Sequence, residues 1–157
     1  MIDEREQERI RLLSDTAFYP QAVEFMQKIG GVLPSSQING LLNVTHANTY
    51  RELEDFIKHQ YTRSTWGFKD QHIPDFYRKL ESKLREFERL VTTVTKDRQE
   101  KPAHEEQQTI KMLLAREFIQ HVLAENAYKD VQIKLQKQPE RTTYQSSEAR
   151  PHGSVNR

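Results

Sequence analysis

Between Pro74 and about Lys96 the apolar residues Phe76, Tyr77, Leu80, Leu84, Phe87, Leu90, Val91 and Val94 recur in steps of three and four. A helix with about 3.6 residues per turn gathers such positions onto one side. That stripe has to be covered, so the chain must fold further elements against it. At about 100° per residue, Arg78, Arg85, Arg89 and Lys96 fall nearly in line on the opposite face. The cationic row reads either as a solvated surface or as a face that tracks a nucleic-acid backbone.

A chain of 157 residues suits one compact domain. Its charged fraction of 30% and mean hydropathy of −0.88 fit helices that bury one narrow face better than they fit a sheet sandwich. The net charge of +1 makes no global argument for nucleic acid. Locally, from Phe56 to Lys101, eleven lysines and arginines face seven acids. There is no cysteine for a disulfide, thiolate or zinc site. No apolar run approaches the ~20 residues that span a bilayer, and Met1-Ile-Asp-Glu-Arg-Glu carries no apolar export segment, so a cytoplasmic location is expected.

In chain order, Asp3 to Leu13 reads as a short, weakly held helix. Tyr19-Pro20 opens a second one, buried through Ala22, Val23, Phe25, Met26 and Ile29 and ended by Gly30-Gly31 in a left-handed turn. Ser35 or Ser36 caps a third that carries Ile38, Leu41, Leu42 and Val44, with Gly40 marking a weak centre or a close backbone approach. Thr49-x-x-Glu52 is a capping box before Leu53, Phe56, Ile57 and Tyr61, so a fourth helix runs to about Arg63. Ser64 to Ile73 is a loop in which Trp66 either tucks onto the bundle or offers a base-stacking platform. After the helix from Pro74, a connection at Asp97 to His104 leads to a last helix from about Glu105 to Lys129, buried through residues that include Leu114, Phe118, Val122 and Ala127. Val131, Ile133 and Leu135 alternate as in a strand but have no strand to pair with, so a fraying helix end is expected there. The domain is thus residues 1–135, with a flexible tail over 136–157.

Catalytic patterns are missing. The six histidines fall into no ligand spacing, and there is no nucleophile elbow and no phosphate-cradling glycine loop. Glu52 and Asp55 share a helix face but are accounted for by capping and local ion pairs. The expectation is a protein without enzymatic activity, metal or cofactor.

Three stretches resemble the Csm-type small-subunit family of type III CRISPR interference complexes, which are short all-helical proteins. Leu33-Pro34-Ser35-Ser36-Gln37-Ile38-Asn39-Gly40-Leu41-Leu42 is similar to that family's Leu-Thr-Thr-Ser-Gln-Ile-Arg-x-x-Leu segment, with Asn39 where the family commonly has arginine. Phe56-Ile57-Lys58-His59-Gln60-Tyr61-Thr62-Arg63 resembles the helix that ends in tyrosine followed by Gly-Arg, here without the glycine. Phe118, Val122, Ala124, Ala127 and Tyr128 resemble the packing residues of the closing helix. The resemblance covers under a third of the chain. It implies a cytoplasmic antiviral-defence subunit that repeats along a ribonucleoprotein and cuts nothing. Its implied partners are guide RNA, target RNA, other effector subunits and copies of itself, with no membrane.

The resulting expectation is an all-α bundle of five to six helices with a flexible C-terminal tail. Lys58, Arg63, Arg78, Arg85, Arg89 and Lys96 are the candidate nucleic-acid-binding residues, with Lys58 and Arg63 ranked equal to the row on the long helix. The rivals are a helical protein-interaction adaptor and a stand-alone helical nucleic-acid-binding protein.

Overall fold

The largest buried side chains include Phe18, Phe76, Tyr77 and Phe118, and the helices are arranged to bring their rings together. The structure is a computed structural model; it describes residues 1–47, 49–63 and 65–155, with side chains through Lys137. Its α-helices are α1 (Glu4–Leu13), α2 (Tyr19–Gln27), α3 (Ser35–Ala47), α4 (Tyr50–Thr62), α5 (His72–Glu88), α6 (Leu90–Val94) and α7 (His104–Val155). Among the described residues there is no strand, so the fold is the expected all-α bundle.

α1 and α2 are one rod. A π-helical turn, Ser14–Phe18, joins them, and the Tyr19 N–H donates to Ser14 O. The wider turn sits directly before Pro20, whose ring would crowd the carbonyl four residues back in an unbroken α-helix. α5 and α6 likewise form a rod with a single break at Arg89. Every apolar residue of the Pro74–Lys96 stripe is buried except Leu90, which is half-buried.

α7 packs against the other helices, and Phe118 marks the centre of the core. Its ring meets Phe87 at 5.0 Å, Phe25 at 5.8 Å and Phe18 at 6.1 Å, each steeply inclined, the edge-to-face arrangement that aromatic quadrupoles favour. Phe25 meets Phe76 edge-on at 5.2 Å, which ties α2 to α5. Gly40 faces Phe56 at ordinary contact distance, since a Cβ there would lie 3.4 Å from Phe56 Cζ, so the position does not need glycine for space.

Three expectations are corrected. α2 ends before Gly30-Gly31, but among the described residues no glycine adopts a left-handed conformation. Gly31 is needed for space, since a Cβ on it would lie 2.8 Å from His72 Cδ2. The carbonyls left at the end of α2 are met from other helices: Lys129 donates to Met26 O and Ile29 O, Lys79 to Lys28 O, and His72 contacts Val32 O. Second, the closing helix does not fray at Lys129; Val131, Ile133 and Leu135 continue α7 because no strand offers them a ladder. Third, Ala124, Ala127 and Tyr128 are exposed rather than packed, because α7 turns that face away from the bundle. From residue 138 on, the expected tail lies outside the residues whose side chains are described.

The N-terminal helix is held more firmly than its composition implies. Asp3 and Glu6 form a reciprocal capping box. Glu6, only 3% exposed, accepts two hydrogen bonds from Arg98 at 2.8 and 2.9 Å. The same guanidinium reaches Glu106 at 3.0 Å, and Glu106 also meets the α-amino group of Met1. Arg98 therefore ties α1, the α6–α7 connection and the start of α7 together.

Two outcomes follow. Arg98 above all, then the α-amino group, holds the Glu106 carboxyl down at about 2, against an ordinary 4.5. A depressed folded-state value stabilises fully above 4.5 and is lost as pH falls towards 2. Glu106→Gln should therefore lower the melting temperature at pH 7, with the gap to the unsubstituted protein closing as thermal melts are taken down from pH 4.5 to about 2. Buried Asn126 clamps the backbone of buried Leu33 from both sides, accepting from its N–H at 2.8 Å and donating to its carbonyl at 3.3 Å. Asn126→Leu should cost about 3 kcal/mol in urea unfolding, because it strands two buried peptide groups.

Candidate nucleic-acid interface

α4 and α5 pack antiparallel, with Tyr50 beside Glu88 at one end and Tyr61 beside Glu81 at the other. The amphipathic pattern of α5 buries Phe76, Leu80, Leu84 and Phe87, which forces Arg78, Arg85 and Arg89 outward. All three are exposed. Over the eleven steps from Arg78 to Arg89 the row is about 16 Å long at about 1.5 Å per residue.

Each arginine of the row has a local hold. Arg78 lies over the Tyr61 ring, 5.7 Å from its centroid. Arg85 sits 3.6 Å from Glu81 with its side chain 70% exposed, a weak surface pair. Arg89 donates from Nε to the Glu86 carbonyl at 3.2 Å, which leaves its terminal nitrogens free. Glu81 also accepts from the Tyr61 hydroxyl at 3.0 Å, and burial followed by that bond pushes the Tyr61 phenol up. The carboxylate thus joins α4 to α5 and screens the middle of the row.

Lys96 does not extend the row. α6 ends at Val94, and Lys96 falls in the turn beyond. The cause is the threonine run: the Thr92 hydroxyl donates to Arg89 O at 2.7 Å and the Thr95 hydroxyl to Val91 O at 2.8 Å, so side chains compete for helical carbonyls. Lys96 is exposed and makes no ion pair among the described residues. Lys58 is exposed on α4, one helical turn before Tyr61, and among the described residues is likewise without an ion pair.

Arg63 is engaged in the end of α4. Its guanidinium stacks over Trp66 at 4.8 Å and donates to Gln60 Oε1 at 3.2 Å, while Trp66 Nε1 donates to the Gln60 carbonyl at 2.7 Å. Trp66, half-buried, therefore tucks onto the bundle and caps α4. The aromatic the loop does expose is Phe68, 96% accessible in the 3-10 turn Phe68–Asp70, which no periodicity singles out. Five of the six candidates thus lie on the α4–α5 pair or its immediate ends, and Lys96 lies apart from them.

At the opposite end of the seam, burial foremost and then Glu88 push the Glu54 carboxyl up. Lys111 reaches Glu88 at 4.0 Å and lies 5.9 Å from the Tyr50 ring centroid. A lysine from α7 thereby offsets the crowded carboxylates. Among the described residues no group of three or more histidines, aspartates and glutamates is arranged to hold a metal ion. No helix there is long and apolar enough to cross a membrane.

Trp66→Phe, which keeps an aromatic ring and removes the N–H donor, should cost about 1 kcal/mol or more in urea unfolding and leave the helical content unchanged. Comparison with known proteins adds no homology: no family model, curated protein or solved structure matches the chain.

Proposed function

We propose that the protein is a non-catalytic, RNA-binding small subunit of a type III CRISPR ribonucleoprotein, with α5 supplying a backbone-tracking contact to guide or target strand. The observation that carries the RNA-binding part is the row Arg78, Arg85 and Arg89, exposed on a helix whose other face is locked in the core. A subunit that accepts any guide sequence needs contacts to phosphate rather than to base edges, and arginine matches phosphate geometry with paired N–H groups. The assignment to a CRISPR complex rests on the resemblance of the Leu33–Leu42, Phe56–Arg63 and Phe118–Tyr128 segments. Lys58, without an ion pair among the described residues and close to Tyr61 on α4, is the natural second contact. Arg63 serves mainly to hold Trp66, and Lys96 contributes only long-range charge.

Binding of this kind weakens with salt, the logarithm of affinity falling by about 0.7 per neutralised phosphate for a single strand and about 0.9 for a duplex. Arg85→Glu with Arg89→Glu should lower affinity for a 20-nucleotide RNA, or for the assembled ribonucleoprotein, at least tenfold. It should also flatten the salt dependence by roughly 1.5. Unchanged RNA affinity in a folded double variant would sink the reading and leave a helical protein-interaction adaptor. Sequence-preferring binding to duplex DNA by the isolated protein would instead make it a stand-alone DNA-binding protein.

A further inference from the structure

Seven large hydrophobic side chains are exposed among the described residues, and four of them, Tyr19, Tyr128, Val131 and Leu135, stand on the packed pair α2 and α7. Val122, Leu123 and Asn126 point α7 into the bundle. Opposite them, Ala124, Tyr128, Val131 and Leu135 follow in steps of four, three and four, the spacing of a helix-packing seam. Upstream on the same outward face stand Glu117 and Gln120, so the apolar character begins at Ala124. It continues sideways onto α2: the Tyr19 ring meets His121 at 5.6 Å, and Lys129 holds the far end of α2 against α7. At Val131 the band opens into a groove of about 410 Å³ whose lining includes Leu33, Ile38 and Ile73. Soluble monomers rarely leave contiguous apolar patches of this kind uncovered.

The charges around the band select its occupant. Asp15, Glu117 and Glu125 border it and make no ion pair among the described residues. The nearby bases are engaged: Lys134 pairs with Asp130 at 3.0 Å, and Lys129 caps the end of α2. The border is therefore acidic. It repels phosphate, and it repels a second copy of itself. We propose that the α2–α7 band docks an amphipathic helix of another protein, one whose apolar stripe is flanked by lysine or arginine. The small residues Ala124 and Ala127 let a helix backbone approach closely, while Tyr128, Val131 and Leu135 supply anchors at helical spacing. The surface stands apart from the arginine row of α5 and does not depend on RNA being bound there.

The test uses the full chain and two labelled 18-residue helical peptides, one with a leucine stripe flanked by lysine, the other with the same stripe flanked by glutamate. In fluorescence anisotropy the lysine peptide should bind at least tenfold more tightly than the glutamate peptide. Tyr128→Ser with Val131→Ser, both at exposed positions, should weaken it at least tenfold, with circular dichroism unchanged. Glu117→Lys with Glu125→Lys should reverse the preference between the peptides. Arg85→Glu with Arg89→Glu should leave peptide binding unaltered, which separates this surface from the RNA reading. Equal binding of the two peptides, or lysine-peptide binding that survives both the serine and the lysine variants, overturns the proposal. So does a dimer in sedimentation that the serine variant dissociates, which makes the occupant a second copy. A tenfold loss of RNA affinity in the serine variant also overturns it, by making the band an RNA surface.

Discussion

The packing of Phe118 against Phe18, Phe25 and Phe87 is the contact on which the rest of the bundle depends. It joins α7 to the α1–α2 rod and to the C-terminal end of α5. Phe76 extends the aromatic cluster from α2 back to α5, and Tyr77 extends it to Phe56 of α4. Inclined rings interlock in a way that fixes both spacing and rotation of the helices, so the outward direction of every other residue is set with them. The exposure of Arg78, Arg85 and Arg89 follows from Phe76, Leu80, Leu84 and Phe87 being held inside.

Polar side chains then close the ends. The segment after α2 has no regular structure to satisfy its peptide groups, and Lys129, Asn126, His72 and Lys79 reach it from two other helices. Arg98 does the corresponding work at the N-terminal end by bridging Glu6 and Glu106. A buried carboxylate such as Glu6 is tolerable only with this degree of hydrogen bonding. The same contacts join segments more than ninety residues apart, as Leu33 with Asn126 and Glu6 with Arg98 do.

Two surfaces of opposite character result. One, on α4 and α5, is rich in arginine and crossed by the Tyr61–Glu81 bond. The other, on α2 and α7, is apolar with an acidic border. On the proposed reading, the first meets a charged polymer and the second a protein neighbour. Their separation is what allows both proposed contacts at once without like charges meeting.

Helix type and most of the core were legible in the residue pattern, because α4, α5 and the first half of α7 repeat their apolar residues at helical spacing and α4 carries its Thr49 cap. The outward row of α5 was legible for the same reason: burying one face of a helix determines the other. Phe18 and Glu6 were not, since an aromatic pair before a proline and one glutamate among many give no periodic signal. Nor was the end of the row at Arg89, where threonine hydroxyls bond back to the helix and displace Lys96. The roles of Gly31, Trp66, Arg63 and Asn126 depend on partners distant in sequence or on how a loop folds back, and so does the acidic apolar band on α2 and α7. Local spacing determines which face of a helix is apolar; only the packing of Phe118 and its neighbours decided which apolar faces were covered and which were left to solvent.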